Sequence, residues 1–480
     1  MVNFGGTCRI FIWFFIVSFI YLLVFAIYTS PIHSAAWGDS QVFVQLGRGL
    51  LEGKLPYIDL FDHKGFLLYA INALGLFIGG LSGVFFLQVI NFTTFLFLSY
   101  KTIHVISKEV SSVFVLFCSL MVMTAYCEGC NLSEEWSLPW IALPIYLSIK
   151  IIYSSDDSIF DTKELICIGL SLSVIALLRI NNFFPVLGFI LYPFIKQIHN
   201  KEFLVVIRSA LVIALSFFVP ILLVVLFYFY VDGINGISTL YFGTIGFNLE
   251  YMQRFVFDLP LGFKIKSYAP IVFAMIISFV PFKENKDLVI PLVLSYLLGL
   301  LVVGSTLYRH YFLVFLPLIP ITIACLRSSR YWKVYNALLF AVFIIASFNP
   351  IVQVVDLVET QKYAILERKK QFKRVVSSVP QEERNDIWNY NAGDALDLLN
   401  EEGIVQCNRI ILPFQIGISS RLATEEEGVF ISQRPKWVLW MNGTSLGQND
   451  DYSFLVSNYH RVDSTTVKLL NNVVLMRVNE

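Results

Sequence analysis

The sequence predicts an α-helical polytopic membrane protein with about 11 transmembrane helices and a small C-terminal soluble α/β domain. Three observations predict it. Hydrophobic residues make up 56% of the 480 and charged residues only 15%, against roughly 45–50% and about 25% in a soluble domain. Apolar runs recur up to position 350, at lengths near those a bilayer needs. Beyond Pro350 the composition turns charged and mixed, and short apolar runs alternate with polar turns.

The runs are Cys8–Tyr28, Val84–Tyr100, Val113–Tyr126, Leu138–Tyr153, Leu165–Leu178, Phe183–Ile195, Phe203–Tyr230, Tyr268–Pro281, Leu288–Val303, Tyr311–Leu326 and Val334–Phe348. The first exceeds the roughly 7–15 apolar residues of a secretory signal and reads as an uncleaved span. One further run, Phe66–Gly80, is short and ends Gly-Gly. If it does not cross, Arg9, Lys101, Lys108, Lys150, Lys163, Lys196, Lys201, Arg208, Lys283, Lys286, Arg327, Arg330 and Lys333 all face one side. Only Arg179 and Arg309 stay in the short loops opposite. That is the positive-inside pattern. It predicts a cytoplasmic N-terminus, Phe66–Gly80 as a re-entrant or interfacial helix, and an extracytoplasmic C-terminal domain.

The domains expected are a transmembrane region 1–350 with a first outer loop at 30–65, an amphipathic linker helix 351–385, and an α/β domain 386–480. In the last, Ile410–Phe414 and Trp437–Met441 suit buried strands. Asp394–Glu402 suits a helix capped by Gly403. Val467–Leu470 and Val473–Val478 flank Asn471-Asn472, a hairpin signal. Net charge is zero and no basic stripe is present, so nucleic acid is not an expected partner. The seven cysteines show no zinc-finger spacing; only Cys127 and Cys130 lie close, as two inert small hydrophobes or a local disulfide.

Chemistry concentrates in the outer loops. The stretch Trp37–Gly65, WGDSQVFVQLGRGLLEGKLPYIDLFDHKG, carries Asp39, Glu52, Asp59, Asp62, His63 and Lys64 between two apolar runs. Carboxylates at a membrane edge are expensive, so several together imply a use. Val42, Phe43, Leu46, Leu50 and Leu51 fall at helical spacing, so Ser40–Glu52 is expected as an interfacial helix with its apolar face in lipid. Asp39 then sits at the positive helix end. The loop CEGCNLSEEWSLP adds Glu128, Glu134 and Glu135, and Tyr308-Arg309-His310-Tyr311 adds cations. Such groups can deprotonate a hydroxyl, hold a divalent cation or bind a phosphate leaving group. Each also has a structural reading: Asp39 as a helix cap, Lys64 as a snorkelling lysine, Glu134 and Glu135 as a solvated loop, Arg309 and His310 as interface anchors.

An Asp after the first span (Asp39), then Gly53-Lys54-Leu55-Pro56-Tyr57-Ile58-Asp59 as G-x-x-P-Y-x-D, then Lys64, resembles the first outer loop of the GT-C fold glycosyltransferases that use lipid-linked sugars. Within that fold the stretch most resembles bacterial members of glycosyltransferase family 39, related to protein O-mannosyltransferases and the aminoarabinose transferase of lipid A. GCNLSEEWSLP resembles their second acidic motif, and RHYFLVFLPL their later His-Tyr motif. The chain departs from them at Gly65-Phe66, where relatives carry Pro-Pro or Gly-Pro. The resemblance covers roughly the first 350 residues. It implies a membrane enzyme of the bacterial inner membrane that moves a sugar from a polyprenyl-phosphate donor to a lipid, glycan or protein acceptor. Asp39 with Glu134 or Glu135 would be catalytic. Asp59, Lys64, Arg309, His310 and Tyr311 would bind substrate. Asp39, Asp62 and His63 would hold a divalent metal ion. The alternatives are a surface-polysaccharide polymerase or ligase, and a non-enzymatic transporter of lipid-linked glycans. A transporter would place charges inside the spans, whereas the acids here gather at one edge.

Overall fold

The structure, a computed structural model, describes residues 4–33, 38–108, 111–154, 160–254, 261–303, 308–357, 362–390, 395–412, 414–441, 449–462 and 473–479. The helices begin with α1 (Phe4–Phe25), α2 (Asp39–Leu51), α3 (Phe66–Ile106), α4 (Ser112–Tyr126), α5 (Ser133–Ile152), α6 (Thr162–Leu178) and α7 (Phe184–His199). Next come α8 (Phe203–Tyr241), α9 (Phe247–Arg254), α10 (Leu261–Ile277), α11 (Lys286–Val303), α12 (Leu318–Leu326) and α13 (Trp332–Asp356). The C-terminal part runs α14 (Lys362–Val376), β1 (Ile387–Tyr390), α15 (Leu396–Glu402), α16 (Phe414–Ile418), α17 (Ser420–Glu426) and α18 (Val429–Gln433). It ends with β2 (Trp437–Met441), α19 (Asn449–Asn458), β3 (Tyr459–Arg461) and β4 (Val473–Val478).

The chain divides into two compact units. The first comprises Met1–Ala26, Phe85–Phe227 and Phe257–Val354, and the second Ile27–Val84, Tyr228–Val256 and Val355–Glu480. The first outer loop thus belongs to the same unit as the C-terminal segment.

The first unit is a helical bundle around an apolar core that includes Phe92, Phe95, Phe189, Tyr296 and Phe312. Close approach of α7 to α11 depends on Gly188, where a Cβ would lie 2.4 Å from the Pro291 carbonyl oxygen; small residues let membrane helices pack this way. Leu204, Leu211, Leu215 and Phe218 on α8 are exposed, as a surface covered by lipid would be.

The expected eleven spans are corrected. Among the described residues five helices are long and apolar enough to cross a bilayer: Gly6–Phe25, Phe66–Ile106, Phe203–Gln253, Lys286–Val303 and Trp332–Asp356. They become six if Arg309–Phe315 and Leu318–Leu326, bent by 52°, form one span. The physical reason is length and charge. α4 has 15 residues, α6 17 and α7 16, short of the ~20 needed for a clean crossing. α5 is long enough but begins with Glu134 and Glu135 and ends with Lys150.

Phe66–Gly80 is the first limb of α3, which breaks at Gly79 and Gly80 with φ of −171° and +63°. Past the break the chain returns on itself, since a Cβ on Gly75 would meet the Val84 Cα at 2.7 Å. Nine residues of straight helix would separate them by ~13.5 Å. A second fold-back occurs in α8 at Asp232 and Gly233, with φ of −140° and +59°. Only glycine reaches such positive φ at no steric cost.

The second unit corrects the expectation for Ser40–Glu52. A helix forms there, but its apolar face is covered by protein rather than lipid: Val42, Phe43 and Leu46 are buried. Its partner is the C-terminal segment. Gln45 Nε2 donates to the Ile404 carbonyl at 3.2 Å, Arg48 Nη2 to the Asn400 carbonyl at 2.8 Å, and Asn400 Nδ2 to the Gln41 carbonyl at 2.8 Å. The sheet has order β1-β2-β4-β3, with β1 parallel to β2 and the other pairs antiparallel. β2 forms as expected, and Gly403 ends α15 in the left-handed region at φ 75°. The described residues of Ile410–Phe414 form no strand: Ile410 bridges to Phe61, and Phe414 already begins α16. Phe61, Phe242, Phe247, Ile410, Ile418 and Leu422 form a core of their own, so this segment is held by side-chain burial instead of a ladder. Val467–Leu470, Asn471-Asn472 and Asp394 lie outside the described residues.

Candidate functional site

In the second unit the loop between α2 and α3 is wound around Tyr57. This residue has φ +69°, is fully buried, and donates its hydroxyl to the Lys64 carbonyl at 2.6 Å. Arg409 Nη2 donates to the Tyr57 carbonyl at 3.1 Å, and the Phe61 backbone N–H to the Arg409 carbonyl at 2.8 Å. The loop is therefore braced from the C-terminal segment, an arrangement that hydrophobic periodicity has no means of showing.

The brace holds an Asp–His–Lys series. Asp62, His63 and Lys64 are 2%, 8% and 7% exposed. His63 Nδ1 lies 3.2 Å from Asp62 Oδ1 and Lys64 Nζ lies 2.9 Å from His63 Nε2. An ammonium has no acceptor, so Nε2 must accept and the ring proton sits on Nδ1, the nitrogen nearer Asp62. Tyr69 donates its hydroxyl to Asp62 Oδ2 at 2.9 Å, and Gln415 Nε2 donates to Asp62 Oδ1 at 3.3 Å. Asn248 Nδ2 donates to the His63 carbonyl at 2.9 Å, and Tyr251 stacks on the imidazole at 5.3 Å. Burial pushes the Asp62 carboxyl up, but His63 and Lys64 outweigh it and hold the group well below the usual carboxylate range. The result is a buried lysine whose ammonium is oriented by a residue itself oriented from three sides.

Asp39 is the first residue of α2 and half-buried; the capping position falls to Gly38. A Cβ on Gly38 would lie 2.2 Å from the Tyr28 ring, so the chain enters α2 through a gap only glycine fits. Asp59 is exposed, and its Oδ2 accepts from the Leu55 N–H at 2.7 Å, which closes the turn Leu55–Asp59. The expected metal set of Asp39, Asp62 and His63 is not assembled. No group of three or more His, Cys, Asp or Glu side chains among the described residues could hold a metal ion. Asp62 is instead engaged by Tyr69, Gln415 and His63.

The second cluster lies in the first unit. Gly129, Cys130 and Asn131 have φ of 88°, 68° and 59° and turn the chain sharply between α4 and α5. The Asn131 N–H then donates to Glu135 Oε2 at 2.6 Å, and Gln88 Nε2 to both Glu135 oxygens at 3.1 Å. Asn91 Nδ2 donates to the Glu135 carbonyl, and Trp136 Nε1 to Asn131 Oδ1. Glu134 is treated differently: Ser133 Oγ donates to it at 2.9 Å and Arg179 forms an ion pair with it. The Arg179 guanidinium also lies 3.7 Å above the Tyr311 ring. His310 Nδ1 is 2.5 Å from Glu128 Oε2, and the Arg309 N–H points at Glu128 Oε1 at 3.4 Å. The structure thus links Glu134 with Tyr311 through Arg179, and the Arg309-His310 pair with Glu128. Arg179, Gln88 and Gln415 were not singled out from the sequence. Only Arg179 carried a signal: it is one of the two cations that the topology expected from the sequence leaves in short loops opposite the lysines.

No protein-family model matches the sequence, and no curated protein does. The crystal structure of ArnT from Cupriavidus metallidurans bound to undecaprenyl phosphate is similar in fold, with TM-score 0.56, 10% identity, and 98% of each chain covered. An oligosaccharyltransferase from Archaeoglobus fulgidus, in complex with Zn and sulfate, aligns at TM-score 0.47 and 11% identity over 89% of this chain and 67% of that one. At 10% identity over nearly full length, the first likeness shows the fold alone: the chain is an α-helical multi-pass membrane protein folded like that structure.

Proposed function

We propose that the protein is a glycosyltransferase that moves a sugar from a polyprenyl-phosphate-linked donor to a lipid, glycan or protein acceptor at the outer face of the cell membrane. The observation that carries this reading is the oriented, buried Lys64 in the loop that bears the family motif. Its ammonium is set by His63 and Asp62 in a chain with the fold of ArnT.

The chemistry follows from the groups. An acceptor hydroxyl attacks the anomeric carbon as the carbon–oxygen bond to the lipid phosphate breaks, which inverts the configuration. The hydroxyl proton passes to Asp39 as general base. Charge grows on the departing phosphate, and the Lys64 ammonium offsets it, because a preorganised donor acts without reorganisation cost. His63 accepts one hydrogen bond from Lys64 and so fixes the position of the ammonium. Arg309, His310 and Tyr311, with Glu134 and Glu135, keep the roles the resemblance implies: phosphate binding and the second carboxylate. No step runs through a metal ion.

The decisive test is transfer from a polyprenyl-phosphate sugar by purified protein in detergent or liposomes. Mass spectrometry of glycans and lipids from cells lacking the protein would identify sugar and acceptor. Unchanged glycans and lipids, together with no turnover of any polyprenyl-phosphate sugar, would refute the reading.

A further inference from the structure

We propose that Cys127 and Cys130 form a redox-active disulfide that staples the acidic turn between α4 and α5. Cys127 caps α4 and is partly exposed, Cys130 is buried, and their sulfurs lie 2.7 Å apart. At that distance the two thiols are in direct hydrogen-bond contact, and the turn is what brings them together. Gly129 and Cys130 both occupy the left-handed region, a conformation non-glycine residues adopt at some energetic cost. A cross-link there would offset that cost. The Cys130 sulfur also sits 3.8 Å from the Phe25 carbonyl oxygen at the end of α1, a hydrogen bond that the thiol donates and the disulfide gives up.

The ring so closed contains Glu128 and Gly129 and adjoins Asn131. Glu128 holds His310 and the Arg309 N–H, and the Asn131 N–H holds Glu135. The bond therefore restrains two of the cluster's carboxylates at once, and its reduction frees the segment that carries them. Chemically, each thiol gives up a proton and an electron as the S–S bond forms. The two electrons pass by thiol–disulfide exchange to an oxidised dithiol partner, whose own S–S bond breaks to two thiols. The proposal rests on the outer-face placement of this turn, since that side is the oxidising one.

The test is differential alkylation of the full chain in native membranes. Protein is denatured in N-ethylmaleimide with no reductant, digested, and the peptide containing both cysteines is weighed. The expected peptide is unalkylated and lighter by two hydrogens than the dithiol, and takes two alkyl groups only after reduction. In Cys127→Ser, Cys130 should alkylate without reductant, which establishes that the reagent reaches it. Amide exchange across 128–135 should speed up on reduction of the wild type and not respond to reductant in Cys127→Ser/Cys130→Ser. Both thiols alkylated in unreduced wild-type membranes would overturn the proposal, even if added oxidised glutathione closed the pair later. Sugar transfer is a separate readout, so failure here leaves that reaction standing.

Discussion

Replacing Lys64 by methionine tests the Asp–His–Lys series directly. Methionine keeps most of the unbranched stem that fills this buried position and removes only the charge. His63 Nε2 then loses the donor 2.9 Å away, a loss of about 1–3 kcal/mol for a buried acceptor left unpaired. His63 keeps its contact with Asp62 and its stacking on Tyr251, so the unit should still fold. Transfer should fall as well. A hydrogen bond to a charged group contributes about 1.5–3 kcal/mol, which at 1.36 kcal/mol per decade is a loss of roughly 10–150-fold. Lys64→Arg should recover part of it, since guanidinium also binds phosphate but with a longer, forked reach. The assay is transfer from a polyprenyl-phosphate sugar under subsaturating donor, with size-exclusion profiles matched between variants. A correctly folded Lys64→Met protein that transfers at the wild-type rate would refute the role given to this ammonium and to the residues that orient it.

Asp39→Asn should leave the melting temperature unchanged, because Gly38 and not Asp39 holds the cap position. Transfer should fall by about 10²–10⁴-fold, the usual contribution of a general base; equal rates would return Asp39 to a local structural role. Gln415→Leu should lower kcat with little change in KM for the donor, since it loosens the Asp62 that orients the Lys64 ammonium and that ammonium acts on charge that grows only in the transition state, and Gln415→Asn should restore it in part. For Asp62 the folded-state pKa lies below its unfolded value. The stability it contributes is complete above the unfolded carboxylate pKa of about 3.9 and is lost as pH falls below it. A melting-temperature profile should show this acid-side decline in the wild type and a shallower one in Asp62→Asn; superimposable profiles would contradict the assignment. Finally, cysteines placed at the exposed positions Ser377 and Glu284 should label from outside and from the cytoplasm respectively, and the reverse pattern would invert the proposed sidedness.

Much of this protein can be read without its coordinates. Apolar content, the run lengths and the lysine bias determine a multi-pass helical membrane protein, because the bilayer acts on each segment separately and leaves its mark in local composition. The first-loop motif and the acidic turn are legible for the same reason: carboxylates beside apolar runs stand out one residue at a time. What tertiary structure alone decided is how those segments are covered and held. The apolar stripe of α2 reads from the sequence as facing lipid, and the packing of Gln41, Gln45 and Arg48 against Asn400 and Ile404 put it against protein. Gly79-Gly80 marks a break in the sequence, but how closely Gly75 returns onto Val84 is seen only in the folded chain. Gln415 lies 353 positions from Asp62, and no periodicity spans that gap. The partners of a buried polar group are set by which surfaces meet after the chain collapses, and that meeting is a property of the whole fold.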